Sequence, residues 1–142
     1  MIPLLRLQRK RLPLYQAAAD LFSETNALRT QQGLAPLSAA SGEWNQWAML
    51  RAREQAELFS HTRPDGSSCW HDVGNASVSG VNVAYTSGIY NAAPGREFYE
   101  IYDNSPPHRA NMLGDHQSLA AGVYVAPASH TAYSAMVFIS AR

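Results

Sequence analysis

From Leu14 onward, apolar residues recur at helical spacing: Leu14, Ala18, Leu21, Phe22, Thr25 and Leu28 fall three or four positions apart and form one stripe to bury. Gly33 then sits where a left-handed residue closes a helix, and Pro36 bars its continuation. A second helix is predicted over 42–59. Trp44, Trp47, Ala48, Ala52, Gln55, Ala56 and Phe59 share one face, while Arg51, Arg53, Glu54 and Glu57 fall mostly elsewhere. At that spacing the two tryptophans read as core packing rather than as a ligand platform.

The rest of the chain switches period. Ser67 to Ser79 is polar and Gly- and Ser-bearing, which predicts a loop, and Val81 to Tyr85 predicts a short strand. Pro94 suits the first position of a third helix ending near Asp103. Pro106 and Pro107 interrupt, His108 to Leu113 makes a last helical turn or two, and Gly114 ends it. Leu119 to Val125 and Ala132 to Ile139 are β-prone runs on either side of APASHT, so they predict a hairpin. Val137, Phe138 and Ile139 are consecutive and apolar, so that strand needs cover on both faces. Helices on either side of a small antiparallel sheet supply it, giving an α+β, three-layer α-β-α sandwich.

Length and charge narrow the reading. With 142 residues the chain is one domain, expected to bury roughly 68–70% of its unfolded surface. The expected division is a basic N-terminal extension over 1–13, carrying Arg6, Arg9, Lys10 and Arg11, and a single domain over 14–142. A net charge of +0 argues against a nucleic-acid footprint, and no stretch reaches the ~20 apolar residues that span a membrane. The start, MIPLLRLQRKRLPLY, lacks the apolar core of a signal peptide. Cys69 is the only cysteine, so no intrachain disulfide can form, and a buried thiol is the expected state.

Two segments carry the candidate chemistry. FSHTRPDG (Phe59–Gly66) and NSPPHRANML (Asn104–Leu113) each set a histidine at a chain reversal, His61 and His108. Two imidazoles brought together can share a cation, relay a proton or bind a polar ligand. No Gly-x-Ser-x-Gly elbow, HExxH pair, GxxxxGK[ST] or GxGxxG loop is present. Extra ligands for a cation would have to come from His71, His116 or Asp65. Tyr85, Tyr90, Tyr99, Tyr102, Tyr124 and Tyr133 could line a groove near the histidines or pack under loops.

Those two segments, in that order after a long helix, resemble the CAP superfamily (cysteine-rich secretory proteins, antigen 5, pathogenesis-related proteins) in its compact bacterial form. LFSETNALRTQQGLAPL (Leu21–Leu37), Trp47 to Ser60, GVNVAY (Gly80–Tyr85) and AGVYV (Ala121–Val125) are similar to further family segments, collinear over about Leu14 to Ile139. The resemblance implies the same sandwich and a site that joins two histidines to two glutamates. Here the glutamate position in the Gly-Glu-Asn segment is Val81, Tyr102 stands where the family has Trp, and Ser105 where many members have Glu. Glu97, Glu100 and Asp103 are near but out of register.

The resemblance therefore implies a secreted or surface domain that binds a small or extended ligand (lipid, glycan or peptide) without turnover. The ligand-binding residues expected from it are His61, His108, Val81, Asn82, Ser105 and Tyr102. No cofactor is required, and a divalent cation such as zinc would be held weakly by His61 and His108, more firmly with Glu restored at Val81. Two other readings stay open: a metal-assisted hydrolase using the two histidines, and an interaction scaffold with a vestigial cleft.

Overall fold

The computed structural model describes residues 4–87 and 94–141. The helices are α1 (Leu4–Gln31), α2 (Gly42–Glu57), α3 (Pro94–Asp103) and α4 (Pro106–Met112). The strands are β1 (Ser38–Ala39), β2 (Asp72–Val73), β3 (Ala76–Ser87), β4 (Ser118–Val125) and β5 (Thr131–Ala141). They form one sheet in the order β1-β4-β5-β3-β2, antiparallel except for the short β1–β4 pair.

β5 is the central strand, and its side chains divide the core in two. Ala132, Met136 and Phe138 join Leu21 and Leu28 of α1, Phe98 and Tyr102 of α3 and Met112 of α4. Ala135, Val137 and Ile139 join Trp44, Ala48 and Ala52 of α2 with Val78, Val81 and Val83 of β3. The period-2 alternation of one strand thus sends residues into two separate apolar layers. The α+β three-layer sandwich is the observed architecture. α2 lies so close to the sheet that a Cβ on Gly122 would stand 2.6 Å from the carbonyl oxygen of Ala48.

Several elements differ in extent from their sequence reading. Helix α1 begins at Leu4 rather than Leu14, so the backbone of 4–13 is continuous with it; residues 1–3 and the side chains of the basic cluster lie outside the described residues. α2 ends at Glu57, short of Phe59. β3 starts at Ala76 and β2 lies at Asp72–Val73, inside the span read as loop. Neither shows a clean polar-apolar alternation, because cross-strand pairing, β3 on β5 and β2 on β3, orders residues whose own pattern is weak. The hairpin of β4 and β5 and the span of α3 match their predictions.

Two polar residues of α1 explain the run before Pro36. Asn26 donates to Leu37 O and accepts from Leu37 N–H, at 3.0 and 2.7 Å. Arg29 is buried and donates to Ala35 O, Met112 O and Gly114 O, at 2.8, 3.0 and 2.7 Å. Gly33, at φ 76°, makes the left-handed exit from the helix. Together they fasten the end of α1 to the end of α4.

A second polar tie closes the α4–β4 connection. His116 Nε2 lies 2.9 Å from Asn111 O and Nδ1 lies 2.7 Å from Ser79 Oγ, while Ser140 Oγ donates to Ser79 Oγ at 3.1 Å. A carbonyl only accepts, so Nε2 carries the proton and Nδ1 accepts from the Ser79 hydroxyl. The ring stacks on Phe138 with centroids 4.7 Å apart. Burial, with Arg29 nearby, pushes His116 below the ordinary histidine range against the raising effects of the Asn111 bond and Asp115.

Two outcomes are expected. Gly122→Ala should lower stability by about 1–3 kcal/mol in a denaturant melt, because backbone rather than a flexible side chain must yield; an unchanged midpoint would show that α2 can shift freely. For His116, protonation opposes folding: the stability it lends is full above the unfolded value near 6.5 and is lost as pH falls through the lower folded value. The melting temperature should therefore fall between about pH 7.5 and about pH 5, and less so in His116→Gln. Equal slopes in both proteins would contradict this assignment.

Candidate functional site

His61 lies three residues past Leu58, whose extended backbone (φ −147°, ψ 110°) stops α2. A hollow of about 300 Å³ is lined by His61, Thr62, Gly66, Ser67, Ser68, Cys69 and Trp70. Asp65 accepts from both N–H and Oγ of Ser67, at 2.9 and 2.6 Å, and these bonds hold its carboxyl below the usual range. Cys69 is free and buried, and Trp70 is 60% exposed.

The wall behind the hollow is polar. Arg51 and Glu54, assigned by sequence to a side away from the buried face of α2, are in fact buried at 0% and 9% exposure. Arg51 Nη1 donates to Glu54 Oε1 at 2.7 Å, and Nη2 donates to the carbonyls of Ser60 and His61 at 3.0 and 3.4 Å. Arg63 binds both oxygens of Glu54, through Nε at 3.0 and 3.2 Å and through Nη2 at 2.9 Å. Burial raises the Glu54 carboxyl, but the bonds from Arg63 and Arg51 outweigh it and leave the group below its ordinary range. Helical periodicity missed these residues because it scores polarity, and their polarity is satisfied inside.

Trp44 and Trp47 both pack with the α2-side core, as their spacing predicts, and both meet His71: Trp44 edge-on at 5.5 Å and Trp47 stacked at 4.1 Å and 12°, with the Arg63 guanidinium over the Trp47 ring, 4.8 Å from its centroid. Gln55 Oε1 accepts from Ser60 N–H at 2.9 Å. Trp47 Nε1, Arg51 Nε and Gln55 Nε2 are buried without a hydrogen-bond partner among the described residues.

His108 comes from the first turn of α4, begun by Pro106 and Pro107 after the Ser105 N-cap. Its carbonyl accepts from Asn82 Nδ2 at 3.0 Å, and Asn111 Nδ2 donates to Asn82 Oδ1 at 2.9 Å. The ring meets Tyr102 edge-on at 5.2 Å, and its Nδ1 is buried with no partner among the described residues. Burial first, and then the like charge of His61, push His108 below the ordinary histidine range.

The other expected binding residues are placed differently. Tyr102, Asn82 and Val81 were expected in the cleft, but Tyr102 and Asn82 are fully buried. Tyr102 hydrogen-bonds Ser134, and Asn82 braces α4 against β3. Val81 packs in the α2-side cluster that also contains Cys69, and its carbonyl accepts from Asn111 Nδ2 of α4 at 3.3 Å. Ser105 is half-buried at its cap and makes no side-chain capping bond. Tyr85, Tyr133 and Tyr124 occupy facing positions across β3, β5 and β4, and Tyr85 meets Phe59 of the His61 segment edge-on at 4.8 Å; Tyr90 lies outside the described residues.

The acidic residues near α3 are committed elsewhere: Glu97 to Thr86, Glu100 to Arg96 and Asp103 to Arg109. No group of three or more His, Cys, Asp or Glu among the described residues could hold a metal ion. Zinc sites take at least three protein ligands, so two imidazoles without a carboxylate do not fit a resident zinc.

Comparison with known proteins agrees with this architecture. An outer surface protein from Borrelia burgdorferi has a similar fold, with a TM-score of 0.63 and 16% identity over 86% of this chain and 90% of that one. No curated protein matches. The profile of the cysteine-rich secretory protein family matches residues 22–139, and with the sheet, the helices and the two histidine segments in their order the chain belongs to the CAP family.

Proposed function

We propose that this is a non-enzymatic CAP domain, displayed outside the cell, that binds a small polar ligand in the hollow beside His61. The observation that carries the reading is the histidine pair itself: His61 lines the hollow, His108 stands in the first turn of α4, and among the described residues no group of three or more His, Cys, Asp or Glu could hold a metal ion. Such a pair offers hydrogen bonds without the activated base that turnover needs. The hollow adds hydroxyls from Thr62, Ser67 and Ser68 and the exposed indole of Trp70. Hydroxyls beside an aromatic face suit a hydroxyl-rich ring, so a glycan unit fits better than a lipid tail.

Display outside the cell draws its support from family membership and from the similar fold of a protein titled an outer surface protein. Among the described residues no helix is long and apolar enough to cross a membrane. The metal-assisted hydrolase is the weaker reading because the donor set is too small, and an interaction scaffold would leave the hollow unused.

Titration of the labelled protein with glucose, N-acetylglucosamine and their disaccharides should shift amide signals of residues 61–70, and His61→Ala should weaken the effect at least about tenfold, on the scale of one lost polar anchor. Hydrolysis of ester, peptide or glycoside substrates that disappears in His61→Ala or His108→Ala would overturn the non-enzymatic reading. Shifts produced only by fatty acids or peptides would replace the glycan as ligand. Sugar binding that survives substitution of both histidines would place it away from this hollow.

A further inference from the structure

α2 carries more than the apolar stripe that meets the sheet. Trp47, Arg51 and Gln55 follow one another at intervals of four, so they stand in a row along one helix face. Each engages the segment between α2 and β2. Trp47 stacks on His71 and receives Arg63; Arg51 takes the carbonyls of Ser60 and His61; Gln55 takes the N–H of Ser60. Glu54, beside the row, joins Arg51 to Arg63.

Residues 58–71 contain no helix or strand. Their internal backbone bonds are confined to the turn in which Arg63 N–H meets Ser67 O and Gly66 N–H meets Arg63 O, both at 2.9 Å. Those bonds fix the shape of the turn but not where it sits on the domain. Leu58 N–H is held by Glu54 O and Phe59 packs edge-on against Tyr85, but Ser60 and His61 themselves meet α2 through the side chains of Arg51 and Gln55.

We infer that Arg51 is the positioning residue for His61, with Glu54 and Gln55 as its partners, and that this row of α2 is the template on which the ligand-binding segment is laid. The inference rests on the proposed role of His61. Arg51 suits the task because a planar guanidinium can meet a carboxylate through one nitrogen and two carbonyls through another at the same time. A lysine keeps the charge but concentrates it at one ammonium, which cannot span Glu54, Ser60 and His61 in that fixed arrangement. Glu54 is required in turn, since a fully buried guanidinium without a counter-charge is strongly unfavourable. The row also explains how the segment keeps its shape without the disulfides that a single cysteine precludes.

The test is backbone ¹⁵N relaxation and sugar titration on the full chain with Arg51→Lys, Glu54→Gln, Gln55→Leu and His61→Ala. In the parent, the amides of residues 60–63 should have order parameters near about 0.85; Arg51→Lys should lower them to under about 0.6 while β3, β4 and β5 stay rigid. Glu54→Gln removes the counter-charge of Arg51 and Arg63 and should loosen 60–63 about as much as Arg51→Lys; Gln55→Leu should lose less, with its effect centred on Ser60. Sugar affinity should fall in the same order. Uniform loosening of the whole domain would make Arg51 a general core residue and overturn the inference. So would rigid 60–63 amides in folded Arg51→Lys, or in folded Gln55→Leu if Arg51→Lys does not fold. His61→Ala separates the two ideas: if it binds sugar normally, the functional reading fails, while the relaxation data still decide the positioning role.

Discussion

The burial of β5 on both faces is the constraint from which the rest of the domain follows. From Ala135 to Ile139 every residue of this strand is buried, with successive side chains sent into opposite layers. A strand of that kind cannot sit at the surface of a two-layer fold, because one whole face would be wet. It requires α2 on one side and α1, α3 and α4 on the other. β3 and β4 then flank it, and the segments that connect the layers must pass around the edges of the sheet. The His61 segment is one of these passages, and the α4 turn with His108 lies against β3. Phe59, two residues before His61, meets Tyr85 of β3 edge-on at 4.8 Å, so both histidine segments touch the same strand.

Polar groups inside the fold do a second kind of work. Arg29 with Asn26, His116 with Ser79, and Arg51 with Glu54 each join a regular element to an irregular one. Apolar packing alone would hold helices on the sheet but would leave the connections between them free, since loops have few apolar side chains to contribute. A satisfied buried hydrogen bond adds modest net stability, while its loss leaves a partner unsatisfied at larger cost. Such ties therefore specify position more than they add stability. The Arg51–Glu54–Arg63 cluster fits this description: two cations share one carboxylate, and the favourable outcome is the fixed placement of Ser60 and His61.

The layered fold was legible in the sequence because its causes are periodic. The stripe on α1, the span of α3 and the consecutive apolar residues of β5 all report burial through spacing. The two-residue strands β1 and β2 were not legible, since each is defined by the backbone of a neighbour rather than by its own side chains. Within the site, the two histidines could be found from motif context. Arg51 and Glu54 could not, because hydrophobic periodicity places charge at the surface and only the three-dimensional arrangement supplies their partners. Tyr102 and Asn82 erred in the opposite direction: they are polar-tipped residues beside a histidine, but their polar atoms are spent on Ser134 and on α4.

Loss of the family's carboxylates alters the chemistry more than the scaffold. Val81 sits in the apolar layer under α2, where an ionised side chain would have to be paired or neutralised. His108 needs no such partner to persist, since a neutral imidazole can be half-buried at modest cost, and burial already favours its neutral form. A neutral imidazole at His108 retains directional hydrogen bonding without a carboxylate beside it. The hollow itself is built by residues 61–70, a segment that Arg51 of α2 holds at Ser60 and His61, and that is the physical basis for the proposed binding without turnover.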